Sequence, residues 1–265
     1  MRLKNKVVLI TGGYTGIGRA IATICVKEGA KVVLNGLDEQ RGTSLVVELG
    51  AENTTHITID ITETEAPDRL VEKSVSTFGK LDAVVNNAAL IASSNIGDTS
   101  IQFMKRILAI NTMAPLAIIQ AALPYLEKTR GNVLNIGSIN AWCGEPDLLG
   151  YSMSKGAMMT MSRNLGDTLF RENGVRVNQI NPGWVLTERE IIDKKQQGMK
   201  SDWYKDLPDI FAPAQRIFSP DEIASAAIFL LSDECGPVSG QVMELEQFPL
   251  IGRNPPKKWA GSHKP

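Results

Sequence analysis

The sequence of 265 residues is poor in cysteine and histidine, with three of the former and two of the latter. The cysteines, Cys25, Cys143 and Cys235, are an odd number and include no C-x-x-C pair, which argues against a disulfide framework or a zinc site. Neither histidine suits a hydrolytic triad, because His56 precedes a predicted strand and His263 lies in the C-terminal tail. We therefore expect a cytoplasmic protein without a metal ion.

The chain also lacks an excess of charge and a long uninterrupted apolar run. Its net charge is −1 and its pI is near 6.2, so the sequence shows no basic patch for nucleic acid or anionic lipid. The N-terminal apolar run, in MRLKNKVVLITGG, is too short for a signal peptide. The longest apolar region, ILAINTMAPLAIIQAALPYL, contains two prolines and several polar residues, which favours a buried helix over a membrane span. We expect a small-molecule substrate, with no nucleic-acid or membrane partner.

Short β-branched segments alternate with helical segments along most of the chain. The segment KVVLI precedes a helical pattern, and KVVLN, HITID, LDAVVN, NVLNIGS and VRVNQI repeat this arrangement before a last strand at QVMELE. Strands separated by helices form right-handed crossovers and a parallel sheet. The pattern predicts an α/β fold, a Rossmann-like doubly wound sheet of about seven parallel strands with helices on both faces.

The predicted domain organisation is simple. We expect a single dinucleotide-binding catalytic domain over residues 1–251 and a tail rich in proline and lysine over residues 252–265. Residues 184–220 contain no clear strand but several aromatic side chains. This segment is either a substrate lid or a plain surface subdomain.

A glycine-rich turn follows the first predicted strand. In TGGYTGIGRAIA, Gly12, Gly16 and Gly18 have the spacing G-x-x-x-G-x-G and lead into a helix. Such a turn lets a pyrophosphate approach main-chain N–H groups at the positive end of the helix. The alternative is a tight strand-to-helix turn without a ligand, but the position after the first strand of a βαβ unit favours dinucleotide binding.

The end of the second predicted strand bears on the choice between NAD and NADP. A carboxylate there accepts a hydrogen bond from the ribose 2′-hydroxyl and repels a 2′-phosphate. In VVLNGLDEQR, Gly36 and Leu37 stand where an acid or an arginine is expected, and Asp38 follows them. Thr15 leaves the glycine turn without a basic residue, and Arg41 is the remaining candidate phosphate ligand. The balance favours NAD and leaves NADP open.

Further motifs follow the glycine turn in a fixed order. They are Asp60 at the end of the third predicted strand, NNAA at residues 86–89, Asn111 within a helix, Ser138 after the fifth strand, YSMSK at residues 151–155, and NPGWVLT at residues 181–187. The ordered set resembles the compact branch of the short-chain dehydrogenase/reductase family, which includes 3-oxoacyl-acyl-carrier-protein reductases and sugar or polyol dehydrogenases. The resemblance extends from Lys6 to about Glu246. An isolated Y-x-x-x-K arises easily by chance, whereas the ordered set does not.

The resemblance implies roles for particular residues. It implies a catalytic group of Asn111, Ser138, Tyr151 and Lys155. It implies cofactor contacts from Gly12, Thr15, Gly16, Ile17, Gly18, Asp60, Ile61, Asn87, Ala88, Ala89, Tyr151, Lys155, Pro182, Gly183, Val185 and Thr187. We expect substrate contacts from Ser138, Asn140, Trp142, Tyr151 and Trp184. It also implies a homotetramer formed through the helices that begin near Ile101 and Tyr151.

This sequence departs from the family pattern in two further places. Ala89 stands where the family usually has glycine, which would crowd the cofactor ribose slightly. The last strand ends in ELEQFPLIG instead of the usual Asp-Gly-Gly, so we expect an unusual C-terminal wall of the pocket.

The pair formed by Tyr151 and Lys155 has a chemical rationale. The two residues lie one helical turn apart, and we expect them along the margin of an apolar stripe. A free phenol titrates near 10 and is a poor base at neutral pH. A nearby ammonium favours the phenolate, so we expect Lys155 to lower the pKa of Tyr151 and suit it to proton transfer.

Ser138 and Asn111 are the other polar candidates. The Ser138 hydroxyl is expected to donate a hydrogen bond to the substrate oxygen as charge develops there. In the family, Asn111 takes part in a water-mediated proton relay to Lys155. A buried amide satisfied by the backbone is the alternative for Asn111.

Together these features predict an NAD(P)-dependent oxidoreductase that interconverts a secondary alcohol and a ketone by hydride transfer. The aromatic and acidic residues near the expected pocket favour a small polar, sugar-like or polyol-like substrate. A 3-oxoacyl thioester reductase and a non-catalytic dinucleotide-binding sensor or scaffold remain alternatives.

Overall fold

The computed structural model describes residues 1–249, and the predicted tail at residues 252–265 lies outside these residues. Seven strands form one parallel sheet in the order β3-β2-β1-β4-β5-β6-β7. The strands are β1 Val7–Ile10, β2 Lys31–Gly36, β3 Thr54–Thr58, β4 Ala83–Asn86, β5 Asn132–Ile136, β6 Arg176–Pro182 and β7 Val242–Leu245. The prediction of a Rossmann-like doubly wound sheet is confirmed.

Helices cover both faces of the sheet. They are α1 Gly16–Lys27, α2 Glu39–Leu49, α3 Ala66–Phe78, α4 Ile101–Leu108, α5 Ala114–Thr129, α6 Asn140–Cys143, α7 Leu149–Asn173, α8 Glu188–Gln196 and α9 Pro220–Leu231. Successive strand residues point to opposite faces, so Val8 and Ile10 pack in the core beneath α1 and α9, whereas Leu9 packs beneath α3 and α5. Because both faces are buried, β1 is apolar throughout and β4 is apolar up to Asn86, whereas β5 and β6 also carry buried polar side chains.

The strand order reverses between β1 and β4, which are neighbours in the sheet. At such a switch point the loops that leave the two strands diverge and open a crevice at the carboxyl edge of the sheet. The loop after β1 is the glycine turn, and the loop after β4 begins at Asn87. The fold therefore places two of the predicted cofactor segments side by side.

Three elements differ in extent from the prediction. Strand β3 ends at Thr58, so Asp60 lies in the following turn and not at the end of the strand. Helix α7 is longer than the predicted segment from Tyr151 to Phe170, because it begins at Leu149 and ends at Asn173. A five-residue π-helical segment, Ala109–Met113, joins α4 to α5 and contains Asn111.

Helices α4 and α5 with the π-helical segment form a continuous stretch, Ile101–Thr129, that is long and apolar enough to cross a membrane by length and composition alone. Here α5 packs against α3, and α4 packs against α7. Part of the stretch remains apolar and exposed, including Ile101 and Met113.

Residues 184–220 hold α8 and a short 3₁₀ turn, Trp203–Lys205. They have a small hydrophobic cluster of their own, which includes Trp203, Leu207 and Ile217. The ring of Trp184 stacks on that of Trp203, with their centroids 4.8 Å apart. This cluster gives the segment an internal packing that its sequence pattern did not reveal.

Candidate active site

The glycine turn adopts a backbone that requires glycine. Gly12 and Gly16 have φ values of +61° and +53°, in the left-handed region. At Gly18 a Cβ would lie 2.3 Å from the carbonyl oxygen of Gly12, a contact that real structures do not show. The three glycines therefore serve a turn in which strand β1 and helix α1 approach each other closely.

The loop after β4 is fastened to this turn. The Asn87 side-chain amide donates to the carbonyl oxygens of Thr11 and Gly12, at 3.0 and 2.9 Å. The Thr11 hydroxyl accepts from the backbone N–H groups of Asn87 and Ala88, each at 3.1 Å. The predicted cofactor residues Asn87 and Ala88 thus adjoin the glycine turn, and Ala89 beyond them is exposed.

The N-terminus of α1 fits an anionic group. Its first residues contain no acid, and the side chain of the N-cap residue Thr15 makes no capping hydrogen bond. The first N–H groups of a helix need an acceptor and carry partial positive charge. One of them, the N–H of Gly16, donates to the Glu188 carboxylate of α8 at 3.1 Å. The turn therefore has the donors that a dinucleotide pyrophosphate requires.

The end of β2 is shaped by Tyr14. A Cβ at Gly36 would lie 2.3 Å from the Tyr14 ring, so this ring leaves no room for a side chain there. The Tyr14 hydroxyl donates to the carbonyl of Ile57 at 3.1 Å. The Asp38 carboxylate accepts from the backbone N–H of Arg41 at 3.1 Å as the N-cap of α2, and it also pairs with the Arg41 guanidinium. No role was predicted for Tyr14 from the sequence, although its position within the glycine turn was a signal that could have identified it.

The predicted pair on α7 is fully enclosed. Tyr151 is 8% exposed and Lys155 is 1% exposed, so both side chains are buried. The Lys155 Nζ lies 5.7 Å from the centre of the Tyr151 ring and donates to the Ile136 carbonyl at 2.7 Å. The loop and helices around the start of α7 bury this pair. The hydrophobic periodicity of α7 alone carries no information about these neighbouring elements.

Burial controls the ionisation of both groups. It raises the pKa of the Tyr151 phenol to about 12, and a hydrogen bond with Ser138 acts in the opposite direction. It lowers the pKa of the Lys155 ammonium to about 7. Desolvation disfavours the charged form of each group, and this effect exceeds the lowering of the phenol pKa that we expected from the lysine. The protein groups by themselves therefore keep Tyr151 protonated at neutral pH.

Ser138 lies in the turn after β5, beside the phenol. Its backbone N–H donates to the Asn181 side-chain oxygen at 3.1 Å, and its Oγ accepts from the N–H of Asn140 at 3.2 Å. Gly137 has no room for a Cβ, which would meet the Asn181 oxygen at 2.0 Å. The β6 side chain thus fixes the turn that presents the serine.

Asn181 ends a chain of buried side chains that crosses the sheet. Each member donates to the next at 2.6–2.9 Å, in the order Asn86, Asn135, Ser162, Gln179 and Asn181. Asn181 in turn donates to the Glu244 carboxylate of β7 at 3.3 Å. The chain connects four strands and α7 beneath the predicted catalytic group.

Asn111 is completely buried in the π-helical segment. Its amide accepts from the Leu90 N–H at 2.8 Å and donates to the Leu90 carbonyl and to the Ser154 Oγ, at 3.0 and 2.9 Å. These contacts satisfy the amide through the Leu90 backbone and the Ser154 hydroxyl, and whether Asn111 takes part in a proton relay stays a prediction. They tie the loop after β4 to α7 next to Lys155.

The predicted substrate residues divide into two groups. Asn140 donates to Glu145 at 3.2 Å, and Trp142 donates to Glu244 and lies beneath the Arg163 guanidinium. Trp184 instead joins the cluster of residues 184–220 and donates to Glu190 at 2.7 Å. All three side chains are therefore paired with carboxylates.

The remaining predicted cofactor residues lie after β3 and β6. Asp60 Oδ1 accepts from the Thr62 N–H at 2.9 Å, and Ile61 packs in the core. Pro182 ends β6, and Gly183 follows against Glu246, whose carboxylate would meet a Cβ at 2.2 Å. Val185 forms an isolated β-bridge with Phe218. The Thr187 side chain lies beside Gly16, and Ile17 packs against the core. Among residues 1–249 no group of three metal-ligating side chains is found.

Comparison with known proteins agrees with this arrangement. Residues 12–246 match the family described as Enoyl-(Acyl carrier protein) reductase. The L-fucose dehydrogenase of Mus musculus is 37% identical over 235 residues, which cover 88% of this chain and 84% of that protein. The chain belongs to the short-chain dehydrogenase/reductase family. As a member of this family it is an NAD(P)-dependent oxidoreductase, as the sequence predicted.

Two further members of the short-chain dehydrogenase/reductase family illustrate its range. The 3-oxoacyl-acyl-carrier-protein reductase of Chlamydia muridarum is 28% identical over 92% of this chain and 97% of its own. The crystal structure of L-sorbose reductase from Gluconobacter frateurii, complexed with NADPH and L-sorbose, aligns with a TM-score of 0.86 at 28% identity. That alignment covers 93% of this chain and 97% of the reductase.

Proposed function

We propose that this enzyme interconverts a secondary alcohol and a ketone on a small, polar, hydroxyl-rich substrate. The observation that carries the proposal is that the Tyr151 phenol is buried, that Ser138 acts against the rise of its pKa, and that the Lys155 Nζ lies 5.7 Å from the centre of its ring. These groups follow β5 and begin α7, so they lie at the same edge of the sheet as the glycine turn. This common edge supports the proposal that proton transfer and dinucleotide binding occur in one crevice.

Each polar group has a definite task in this proposal. Ser138 donates a hydrogen bond to the substrate oxygen, where negative charge develops. The Tyr151 phenol, protonated at neutral pH, delivers its proton to that oxygen in ketone reduction and takes it back in alcohol oxidation. Lys155 and Asn111 hold the helix and the loop after β4 around the phenol. The nicotinamide dinucleotide, when bound, supplies or accepts the hydride.

The residues that would hold this cofactor fit it. The turn of Gly12, Gly16 and Gly18 presents the N-terminus of α1 to the pyrophosphate, as described above. We propose that Asn87, Val185 and Thr187 flank the rest of the dinucleotide. Segment 184–220 is proposed as the lid over the substrate, because it follows β6 at the same edge of the sheet and its Thr187 lies beside Gly16 of the glycine turn.

The preference for NAD stays a prediction. The sequence favoured NAD, whereas the related L-sorbose reductase was crystallised with NADPH. Asp38, the acid nearest the end of β2, caps α2 and pairs with Arg41. These contacts give its carboxylate a structural role and lend no support to NAD over NADP. Fluorescence titration with NADH and NADPH separates the two cofactors.

A hydroxyl-rich substrate is supported by the side chains around Ser138. Asn140 with Glu145, and Trp142 with Glu244, pair amide or indole donors with carboxylate acceptors, a combination that suits sugar hydroxyls. Relatives named L-fucose dehydrogenase and L-sorbose reductase point the same way. A 3-oxoacyl thioester is the second candidate, because a related 3-oxoacyl-acyl-carrier-protein reductase covers most of the chain.

We also propose a homotetramer. The exposed apolar residues Ile101 and Met113 on the α4–α5 stretch, together with Met153 on α7, form a surface that water does not favour. Association of copies through these helices buries it. Light scattering that reports a stable monomer at micromolar concentration contradicts this part of the proposal.

The decisive experiment is Tyr151→Phe, which removes the proton and keeps the ring. We expect kcat/KM to fall by roughly 10²–10⁴ on the best substrate of a sugar, polyol and 3-oxoacyl screen followed at 340 nm. NADH binding should stay within about twofold of the original protein, because the ring remains in place. Activity equal to that of the original protein would rule out Tyr151 as the proton donor.

A further inference from the structure

A carboxylate lies where the glycine turn offers its donors. Glu188 begins α8, 172 residues after Gly16 in the sequence, and its Oε2 accepts from the Gly16 N–H at 3.1 Å. The neighbouring Thr187 packs its side chain against the same glycine, at 3.3 Å from the position of a Cβ. The start of α8 is thus seated on the N-terminus of α1.

This contact gives the N–H of Gly16, at the start of α1, an acceptor from outside the helix. Thr15 makes no side-chain capping bond and the first turn of α1 contains no acid, in contrast to α2, which is capped by Asp38 within its own sequence. Glu188 therefore supplies from another part of the chain the negative charge that a helix N-terminus favours. A phosphate group is attracted to the same place for the same reason.

The charge of Glu188 is not neutralised by a nearby cation. The two arginines that line the adjoining cavity of about 430 Å³ have other partners, since Arg19 pairs with Glu48 and Arg41 with Asp38. Within residues 1–249, no ion pair involves Glu188. A pyrophosphate that approaches the turn therefore meets an uncompensated carboxylate at the amide it would bind.

We propose that Glu188 competes with the pyrophosphate of the dinucleotide for the α1 N-terminus, and so lowers the affinity of the enzyme for its cofactor. The inference rests on the proposed function, because it takes the glycine turn as the dinucleotide site. Glu188 acts here through repulsion and through occupation of the Gly16 amide. Binding of the dinucleotide displaces the Glu188 carboxylate from the Gly16 N–H, and release of the dinucleotide restores this hydrogen bond.

The test is the affinity for NADH and NADPH of Glu188→Gln, measured by the fluorescence of the reduced nicotinamide without any substrate. Removal of the charge is expected to lower Kd at least threefold, because an exposed unit charge next to a divalent anion is worth a modest factor in water. Glu188→Ala, which also removes the acceptor, should lower Kd in the same direction. Replacement of a residue that binds the dinucleotide favourably would instead raise Kd.

Asp193→Asn is the matched control. It removes one negative charge from the same helix, but Asp193 pairs with Arg189 and has no contact with the glycine turn. The Kd of Asp193→Asn for NADH and NADPH should differ from that of the original protein by less than twofold. An unchanged or higher Kd in both Glu188 variants, with far-UV circular dichroism as in the original protein, overturns the proposal. If neither the original protein nor any variant binds a reduced dinucleotide, the proposed function fails as well, so the two failures are distinguishable.

Discussion

The burial of Lys155 predicts a specific dependence of stability on pH. Desolvation lowers its pKa from 10.5 to about 7 in the folded protein. The unfolded chain therefore binds more protons than the folded protein between these values, and the free energy of unfolding rises with pH across this window. Below pH 7 both states carry the charge, and the cost of burying it is constant.

The size of the effect follows from these two values. With one group titrating near 10.5 when unfolded and near 7 when folded, the free energy of unfolding rises by about 3 kcal/mol between pH 7 and pH 9.5. Lys155→Met keeps the length of the side chain and removes the titration. The variant should therefore lack this increase and should gain stability over the original protein mainly at pH 7.

Urea unfolding at both pH values and one fixed protein concentration measures the effect, because the linear dependence on urea gives the free energy in water. Lys200→Met is the matched control, since Lys200 is exposed. Groups such as Tyr151 and Cys25, whose pKa values burial raises, are present in every variant and cancel in the comparison. The reasoning is refuted if Lys155→Met and the original protein show the same change in free energy between pH 7 and pH 9.5.

Two further substitutions test the geometry of the crevice. Gly18→Ala places a Cβ 2.3 Å from the Gly12 carbonyl, so we expect a loss of about 3 kcal/mol or more in the free energy of unfolding and loss of NADH binding. Gly156→Ala, whose Cβ meets nothing closer than 3.6 Å, is the control, and equal effects of both changes would contradict the account of the turn. Asn181→Ala removes the acceptor of the Ser138 N–H, so kcat should fall at least tenfold while the NADH Kd stays within twofold and stability drops by about 2 kcal/mol. A Kd that rises in parallel with the loss of kcat would show general disruption instead.

The order of motifs in the sequence was sufficient to predict the sheet and the place of the site. Gly12, Asn87 and Ser138 each follow a strand, and parallel strands end at one edge, so their proximity follows from the chain order alone. Local patterns also located α7 well enough to place Tyr151 and Lys155 one turn apart.

What the sequence did not reveal depends on contacts between distant segments. The contact of Glu188 with Gly16 joins segments 172 residues apart in the sequence, which follow β6 and β1, and no periodicity encodes it. The burial of Lys155 comes from several surrounding elements, so its altered pKa was not accessible from the helix pattern. The role of Asp38 as the N-cap of α2 was accessible from the sequence, because an aspartate immediately before a helical segment is a recognisable N-cap, but Asp38 was considered there only in relation to the cofactor.

The hydrogen bonds of the polar chain from Asn86 to Glu244 all run in one direction, with each side chain donating to the next toward Glu244. A carboxylate accepts hydrogen bonds and does not donate them, so Glu244 at the outer strand decides which way the Asn181 amide is oriented, and each preceding amide follows in turn. A change of Glu244 to a donor would therefore reverse the preferred orientation of groups as far away as β4. Substitutions at Glu244 and at Asn86 are expected to be non-additive, although two strands, β5 and β6, lie between the strands of these residues in the sheet.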